Sequence, residues 1–456
     1  MKQTYTYLQK IIQFLKLFTP MAITQFSLLA GSFVALFLSG QYSTADLAGV
    51  SIGYNIWISI YTGCMGILLG ITPIISHLLG ANKLESMRTI IQHGLYVATA
   101  MGIFLLLVCG LCMDNFLTFL HMEYDAYVVA LKYLGGIAIA ILPLLWVCVL
   151  RNTVDSHGYT HYSMYVTVFT CIINIIFNYI FIAGRFGLPA LGGMGAGFAT
   201  ALSVWLNFLI YCAILTYNKA FRHYKIFTHW VSPQWTYIRE QLKMGIPIGI
   251  SIFMEVSIFS IAGLLMVHFG TNYVAAHQAA LGFTNLFYCF PLSISMASTI
   301  AVAFELGANR PKDALHYSYV ARGLAIVIAI AICSYTFTHM ESIAHMFTND
   351  STVATLIISF LSYAVFFAVI DAFGTPLQGI LRGYKDVKII SYIAIFSYYG
   401  VGLPIAYFLS RTPSFGPYGI WVGLLSSVII AGVLFTFRTY YIQHKISPLS
   451  HKNRIQ

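Results

Sequence analysis

The sequence predicts an all-α membrane protein of about twelve transmembrane helices arranged as two pseudo-symmetric six-helix bundles. Three observations carry this. Of the 456 residues, 59% are hydrophobic and only 8% are charged, whereas a soluble domain carries roughly 25% charged residues because its surface faces water. The apolar residues gather into about twelve stretches, each long enough to cross a bilayer. The first half of the chain also recurs, in weakened form, in the second.

A helix of about twenty apolar residues spans the hydrocarbon core. By that measure the spans lie at 15–39, 48–76, 93–113, 127–150, 163–183, 195–216, 244–268, 273–303, 321–340, 353–380, 387–409 and 416–440. Several contain proline: Pro20, Pro73, Pro143, Pro247, Pro291 and Pro376. Membrane helices tolerate this because neighbouring helices satisfy the freed backbone groups. Residues Met1 to Lys16 are basic and polar and lead into a run long enough to stay in the membrane, so no cleavable signal is expected.

The formal net charge of +10 is a matter of topology. With a cytoplasmic N-terminus, the cytoplasmic segments hold Lys2, Lys10 and Lys16, then Lys83 and Arg88, Arg151, the group from Lys219 to Lys243, Arg310, Lys312 and Arg322, then Arg382, Lys385 and Lys388, and finally Arg438, Lys445, Lys452 and Arg454. These make 21 of the 24 basic residues. The other face keeps Lys132, Arg185 and Arg411 with Asp46, Asp114, Glu123, Asp125, Glu341 and Asp350. That asymmetry is the positive-inside pattern. It places both termini in the cytoplasm of a cell (inner) membrane protein and removes nucleic acid as a partner. The eight cysteines all sit in apolar stretches without secreted-disulfide spacing. Cys109 and Cys112 form a C-x-x-C, but at the end of a membrane-length run, where small core residues are the better reading.

Four segments match between the halves. Lys16 to Pro20 faces Lys243 to Pro247, and Leu79-Gly80-Ala81-Asn82-Lys83 faces Leu306-Gly307-Ala308-Asn309-Arg310. Val149-Leu150-Arg151 faces Ile380-Leu381-Arg382, and Pro189, Gly192 and Gly195 face Pro413, Gly416 and Gly419. Four matches in order at nearly one offset argue for duplication. The expected division is an N-terminal lobe at 1–216, a cytoplasmic linker at 217–243, a C-terminal lobe at 244–440 and a basic cytoplasmic tail at 441–456. Six spans per half insert the two halves the same way up, with substrate between them.

Charge deep in a span is costly, at least about 2.5–3.5 kcal/mol on insertion scales, so function is its default reading. Two acids qualify: Glu255 in the seventh span and Asp371 in the tenth. Without a fixed basic partner in any span, they suit a site for a mobile cation. Burial raises a carboxyl pKa and a bound cation lowers it, so such a group can exchange H⁺ for Na⁺ or for a cationic substrate. The alternative is a protonated acid hydrogen-bonded to a neighbouring helix. Asn174 and Asn178, four apart, share a face of the fifth span. Gln25, Asn55 and Gln278 are further amides within spans, where interhelical hydrogen bonding and ligand contact both remain open. His157 and His161 are also four apart, but two ligands are too few for zinc, so no metal site is expected. His77, His277 and Glu305 lie near span ends and read as interfacial. A Walker loop, H-E-x-x-H and G-x-S-x-G are all absent from the sequence, which counts against ATP drive and the commonest membrane hydrolases.

These residues resemble the multidrug and toxic compound extrusion (MATE) transporters, in particular the NorM-like branch. The resemblance rests on Leu47 to Ile52, Asn174 to Gly195, Gly245-Ile246-Pro247 through Glu255, Ala276-His277-Gln278, and Leu381-Arg382-Gly383-Tyr384-Lys385-Asp386. It runs along nearly the whole chain. It implies two six-helix bundles around a cleft that opens alternately to each side. It also implies a non-enzymatic monomer without cofactors that exports organic cations or amphipathic drugs against H⁺ or Na⁺. Glu255 and Asp371 match the family's coupling acids, and Asn174 and Asn178 match polar positions of the first-lobe cavity. One departure stands out: where the family usually carries an Asp in the first span, this chain has Ala35, which leaves no buried acid expected in the first half. The rivals are a lipid or lipid-linked saccharide flippase, which calls for buried basic residues, an intramembrane enzyme, and a family member that has lost coupling.

Overall fold

The computed structural model describes residues 3–119, 123–187, 189–348 and 350–452. Lys2 and Arg454, counted above on the cytoplasmic side, lie outside the described residues. Among the described residues, twelve helices are long and apolar enough to cross a membrane. They are α1 (Tyr7–Tyr42), α2 (Ala45–Gly80), α3 (Leu84–Thr118), α4 (Tyr124–Ser156), α5 (Thr160–Ala183), α6 (Gly193–Tyr217), α7 (Trp235–Phe269), α8 (Thr271–Gly307), α9 (Pro311–Phe347), α10 (Ser351–Gly383), α11 (Val387–Ser410) and α12 (Tyr418–Lys445). All regular structure among the described residues is helical. Most helices overrun their apolar stretches by one to three turns, because hydropathy marks only the part that crosses hydrocarbon. The α7 helix begins at Trp235, inside the stretch expected as linker, and the helix of α12 continues to Lys452.

The chain forms two compact units. One comprises Ile23–Leu78 and Lys83–Gly249; the other comprises Met1–Ala22, Leu79–Asn82 and Ile250–Gln456. Helices α1 and α7 therefore each contribute to both. In the first unit, glycines bring helices into backbone contact: a Cβ on Gly197 of α6 would lie 2.5 Å from the Tyr133 carbonyl oxygen of α4. In the second, a Cβ on Gly379 of α10 would lie 2.1 Å from the Ser295 oxygen of α8. Small residues at such crossings replace the hydrophobic drive that lipid removes.

The duplication is visible in the backbone. Asn82 and Asn309, paired by the repeat, both adopt left-handed φ (56° and 55°), and so do Gly192 and Gly416 (55° and 50°). Asn and Gly are the residues that visit this region at least cost. The chain between α6 and α7 is pinned by two buried side chains of α3. Gln92 donates to the carbonyls of Ile226 (2.7 Å) and His229 (2.8 Å) and accepts from the Val231 N–H (3.0 Å). His93 accepts from the Gln234 N–H at 2.9 Å.

Candidate functional site

Four polar residues of α10, Asp371, Thr375, Gln378 and Arg382, recur at i, i+4, i+7 and i+11 and so line one helix face. All four are buried. Glu255 reaches this face from α7 and Tyr288 from α8. The Tyr288 hydroxyl donates to Glu255 Oε1 at 2.9 Å, and the Gln378 amide donates to Oε2 at 3.2 Å. Arg382 donates in turn to Gln378 Oε1 at 3.2 Å. Asp371 Oδ1 accepts from the Thr375 hydroxyl at 2.8 Å. Glu255 is the charged group that bears on Asp371, and both act on Tyr288 and on Tyr398 of α11. The structure thus brings Glu255 and Asp371 into one cluster, with Tyr398 on the α11 side; the neighbouring Tyr399 shares a 2.7 Å hydrogen bond with Ser257 of α7.

Local chemistry shapes each wall. Pro247, Pro291 and Pro376 lie within α7, α8 and α10, and each removes one backbone N–H from its helix. Near Tyr398 the α11 helix widens into a π turn over Ile395–Gly402, just ahead of Pro404. Such turns accommodate a proline that cannot continue the regular ladder. Beside Asp371 lies a cavity of about 20 Å³, lined by Thr284 and Tyr288 and otherwise by apolar side chains such as Phe287, Ala329 and Ile332. That is room for a water molecule or one small ion, not for a drug.

Two expectations need correction. First, Arg382, expected in a cytoplasmic segment, is 3% exposed and one amide away from Glu255. The acid pair therefore does sit near a fixed basic group, because α10 runs three residues past its apolar stretch. Second, the first half does hold buried acids. Asp46, in the first turn of α2, accepts the Gly193 N–H of α6, and Asp155, in the last turn of α4, ion-pairs with Arg151 at 3.6 Å. His277 is fully buried and packs edge-on against Trp421, with ring centroids 5.5 Å apart. Glu305 is buried and ion-paired to Arg310 at 2.6 Å.

The amides divide. Asn178 donates to Asn174 Oδ1 at 3.0 Å, and Asn174 donates to the Ser203 hydroxyl of α6 at 3.2 Å, so these two form an interhelical chain between α5 and α6. A Cβ on Gly31 of α1 would stand 3.9 Å from Asn174 Oδ1, so this part of α1 borders the same place. Gln25 lies half-buried on α1, six residues before Gly31, and Asn55 lies on an exposed face of α2. Gln278 lies on an exposed face of α8, its amide nitrogen 3.4 Å from where a Cβ on Gly263 of α7 would stand. Ala35 sits in an unbroken stretch of α1, its carbonyl accepting from Ser39 at 2.8 Å. The His157 ring is committed to the Thr153 carbonyl (2.7 Å) and the Tyr224 hydroxyl (3.0 Å), and burial pushes it down to about 4. Cys109 and Cys112 are both free thiols. Sequence spacing alone held a signal for Thr375, Gln378 and Arg382. None existed for Tyr288 or Tyr398, which reach the site from other helices.

Among the described residues, twelve helices of membrane-spanning length, duplicated turns and a buried acid cluster between helices fit a polytopic membrane transporter. The MatE family profile matches residues 20–180 and 247–408, once in each half of the chain. The chain is 40% identical over 447 residues to the "Probable multidrug resistance protein NorM" of Oceanobacillus iheyensis, covering 98% of this chain and all of that one. It is also 40% identical over 451 residues to the protein of the same name from Bacillus subtilis, covering 99% and 100%. Among solved structures, its fold is similar to "Outward-facing conformation of a multidrug resistance MATE family transporter of the MOP superfamily" (TM-score 0.88, 18% identity, 98% and 100% coverage). It is likewise similar to "Crystal structure of eukaryotic MATE transporter AtDTX14" (TM-score 0.88, 19% identity, 98% and 99% coverage). The chain belongs to the MatE family.

Proposed function

We propose that this protein is a cation-coupled antiporter of the cell membrane that exports organic cations or amphipathic drugs by alternating access. The observation that carries this is the Glu255–Asp371 cluster: two buried acids on separate helices, with neutral donors as their direct hydrogen-bond partners. Its relatives are named as multidrug resistance proteins, which supports the substrate class. In this reading H⁺ or Na⁺ enters the cluster from outside and favours release of substrate. The lobes at 1–216 and 244–440 then rock, and the cation leaves inward. Both termini face the cytoplasm, and the monomer is the working unit. Asn174, Asn178 and Gln25 line the first-half part of the substrate path, with Asn55 and Gln278 on its exposed edges.

One charge crossing 100 mV supplies about 2.3 kcal/mol, which is somewhat under fiftyfold in the gradient of a neutral substrate. Switching requires that the cation bind the two conformations with different affinity. The test is efflux of a fluorescent cation from proteoliposomes under imposed H⁺ or Na⁺ gradients, for the wild type, Glu255→Gln and Asp371→Asn. Both variants are expected to lose gradient drive while still binding the dye. Unchanged drive in both removes the coupling assignment.

A further inference from the structure

The chain from 217 to 243 holds five basic residues, Lys219, Arg222, Lys225, Arg239 and Lys243, against one acid, Glu240. All five are exposed. A loop in water carries such charge for topology alone. Two observations set this segment apart from such a loop: it is held at one depth, and it bares large aromatic rings.

The depth follows from α3. The apolar stretch of that helix starts at His93, which marks the hydrocarbon edge. Gln92 holds Ile226, His229 and Val231, and His93 holds Gln234. The Tyr96 hydroxyl also donates to the Val231 carbonyl at 2.9 Å, and its ring packs on Trp230 with centroids 5.8 Å apart. In the first turns of α7, the Tyr237 ring lies 5.1 Å from that of His93, and the Gln241 amide donates to the Ile90 carbonyl at 2.7 Å. Contacts from Ile226 to Gln241 thus all fall on α3 between Ile90 and Tyr96. Six residues of helix rise about 9 Å, close to the depth of one headgroup layer, roughly 5–8 Å. Lys225 and Arg239 adjoin these pinned residues and share their level. Arg222 is fixed nearby, because Phe221 and Tyr224 on either side of it both pack on the His157 ring.

The aromatic rings point to the same layer. Tyr217, Trp230 and Trp235 are each more than half exposed. A bare indole is at home between acyl chains and headgroups, with its ring in one and its N–H in the other. Trp230, resting on Tyr96 at the hydrocarbon edge, is placed for that. An acidic partner in water answers the charges but not the ring. A lipid answers both, and the sign of the charge selects a headgroup whose phosphate has no amine to cancel it.

We propose that this segment is a binding surface for anionic phospholipid, with the phosphate taken by Arg222, Lys225 and Arg239 and the upper acyl chain against Trp230. The chain that joins the two lobes is thereby tied to the charge of the leaflet on its side of the membrane.

The experiment reads tryptophan fluorescence of the full-length protein in phosphatidylcholine vesicles. The vesicles contain an equal share of phosphatidylglycerol or phosphatidylcholine brominated on the upper acyl chain, so that a neighbouring lipid quenches. The difference between the wild type and Trp230→Phe isolates the signal of Trp230. At low salt, the wild type should prefer the phosphatidylglycerol at Trp230 by about fivefold or more, the worth of one Lys or Arg at an anionic surface. High salt should shrink the preference. The triple variant Arg222→Gln, Lys225→Gln, Arg239→Gln, measured the same way, should bring it close to one. Equal quenching by the two lipids in the wild type overturns the proposal. So does an unquenched Trp230, which leaves the charges to a soluble anionic partner, and so does an unchanged preference in the folded triple variant. The wild-type arm needs no charge variant, so a triple variant that fails to fold does not shield the proposal.

Discussion

The two halves of the chain keep the same arginine and use it differently. In the first half Arg151, near the end of α4, closes on Asp155 four residues along its own helix. In the second half the matching residues are Arg382 and Asp386. There Asp386 is taken by Arg438 of α12 at 2.6 Å, and Arg382 is left to hold Gln378. A self-contained ion pair in one half has become, in the other, an arm that reaches the buried acids. The fifth and eleventh spans differ in the same sense: α5 is a regular helix carrying amides, whereas α11 carries a π turn and a tyrosine, Tyr398, at the acid cluster. Duplication thus supplied the frame twice, and the buried cluster of two acids lies in one copy.

The sharpest way to break this contrast is through coupling. Glu255→Gln and Asp371→Asn should each bring gradient-driven efflux down to that of protein-free liposomes, while Asp155→Asn, per folded molecule, keeps its response to the gradient. Equal loss in all three erases the distinction between the halves. Next comes stability. Asp155→Ala leaves Arg151 largely buried without its partner and should cost about 3–5 kcal/mol, seen as a lower thermal midpoint in detergent. Asp386→Ala faces the 31% exposed Arg438 and should cost about 1 kcal/mol or less. The shared frame gives a smaller, matched pair: Gly379→Ala and Gly197→Ala each push a methyl into a neighbouring backbone and should each cost about 1–3 kcal/mol, measured the same way. The smallest change is Asn174→Ala, about 0.6 kcal/mol for one interhelical hydrogen bond. It should alter dye preference in efflux assays without removing gradient drive.

The helices were legible because a water-soluble fold has little use for uncharged apolar stretches of membrane length. Their ends were not, because the extra turns are polar and look like loops. That single blind spot accounts for Arg382, Asp155 and Glu305, all of which lie in final helical turns. Glu255 and Asp371 stood out because charge inside an apolar run is expensive. Their donors did not: a tyrosine in a chain with 31 of them carries no signal until packing brings α8 against α7 and α10. Asn174 and Asn178 were readable as a shared face, but their engagement with Ser203 required the position of α6.

The central claim is that substrate and coupling ion compete through the carboxyl pair of the second half. The most direct measurement follows ion release when a lipophilic cation, tetraphenylphosphonium, is added to the purified protein in weakly buffered detergent solution. The wild type and Asp155→Asn should release ions on binding, and Glu255→Gln should bind with little or no release. Release from Glu255→Gln equal to that of the wild type would place the exchange elsewhere in the molecule.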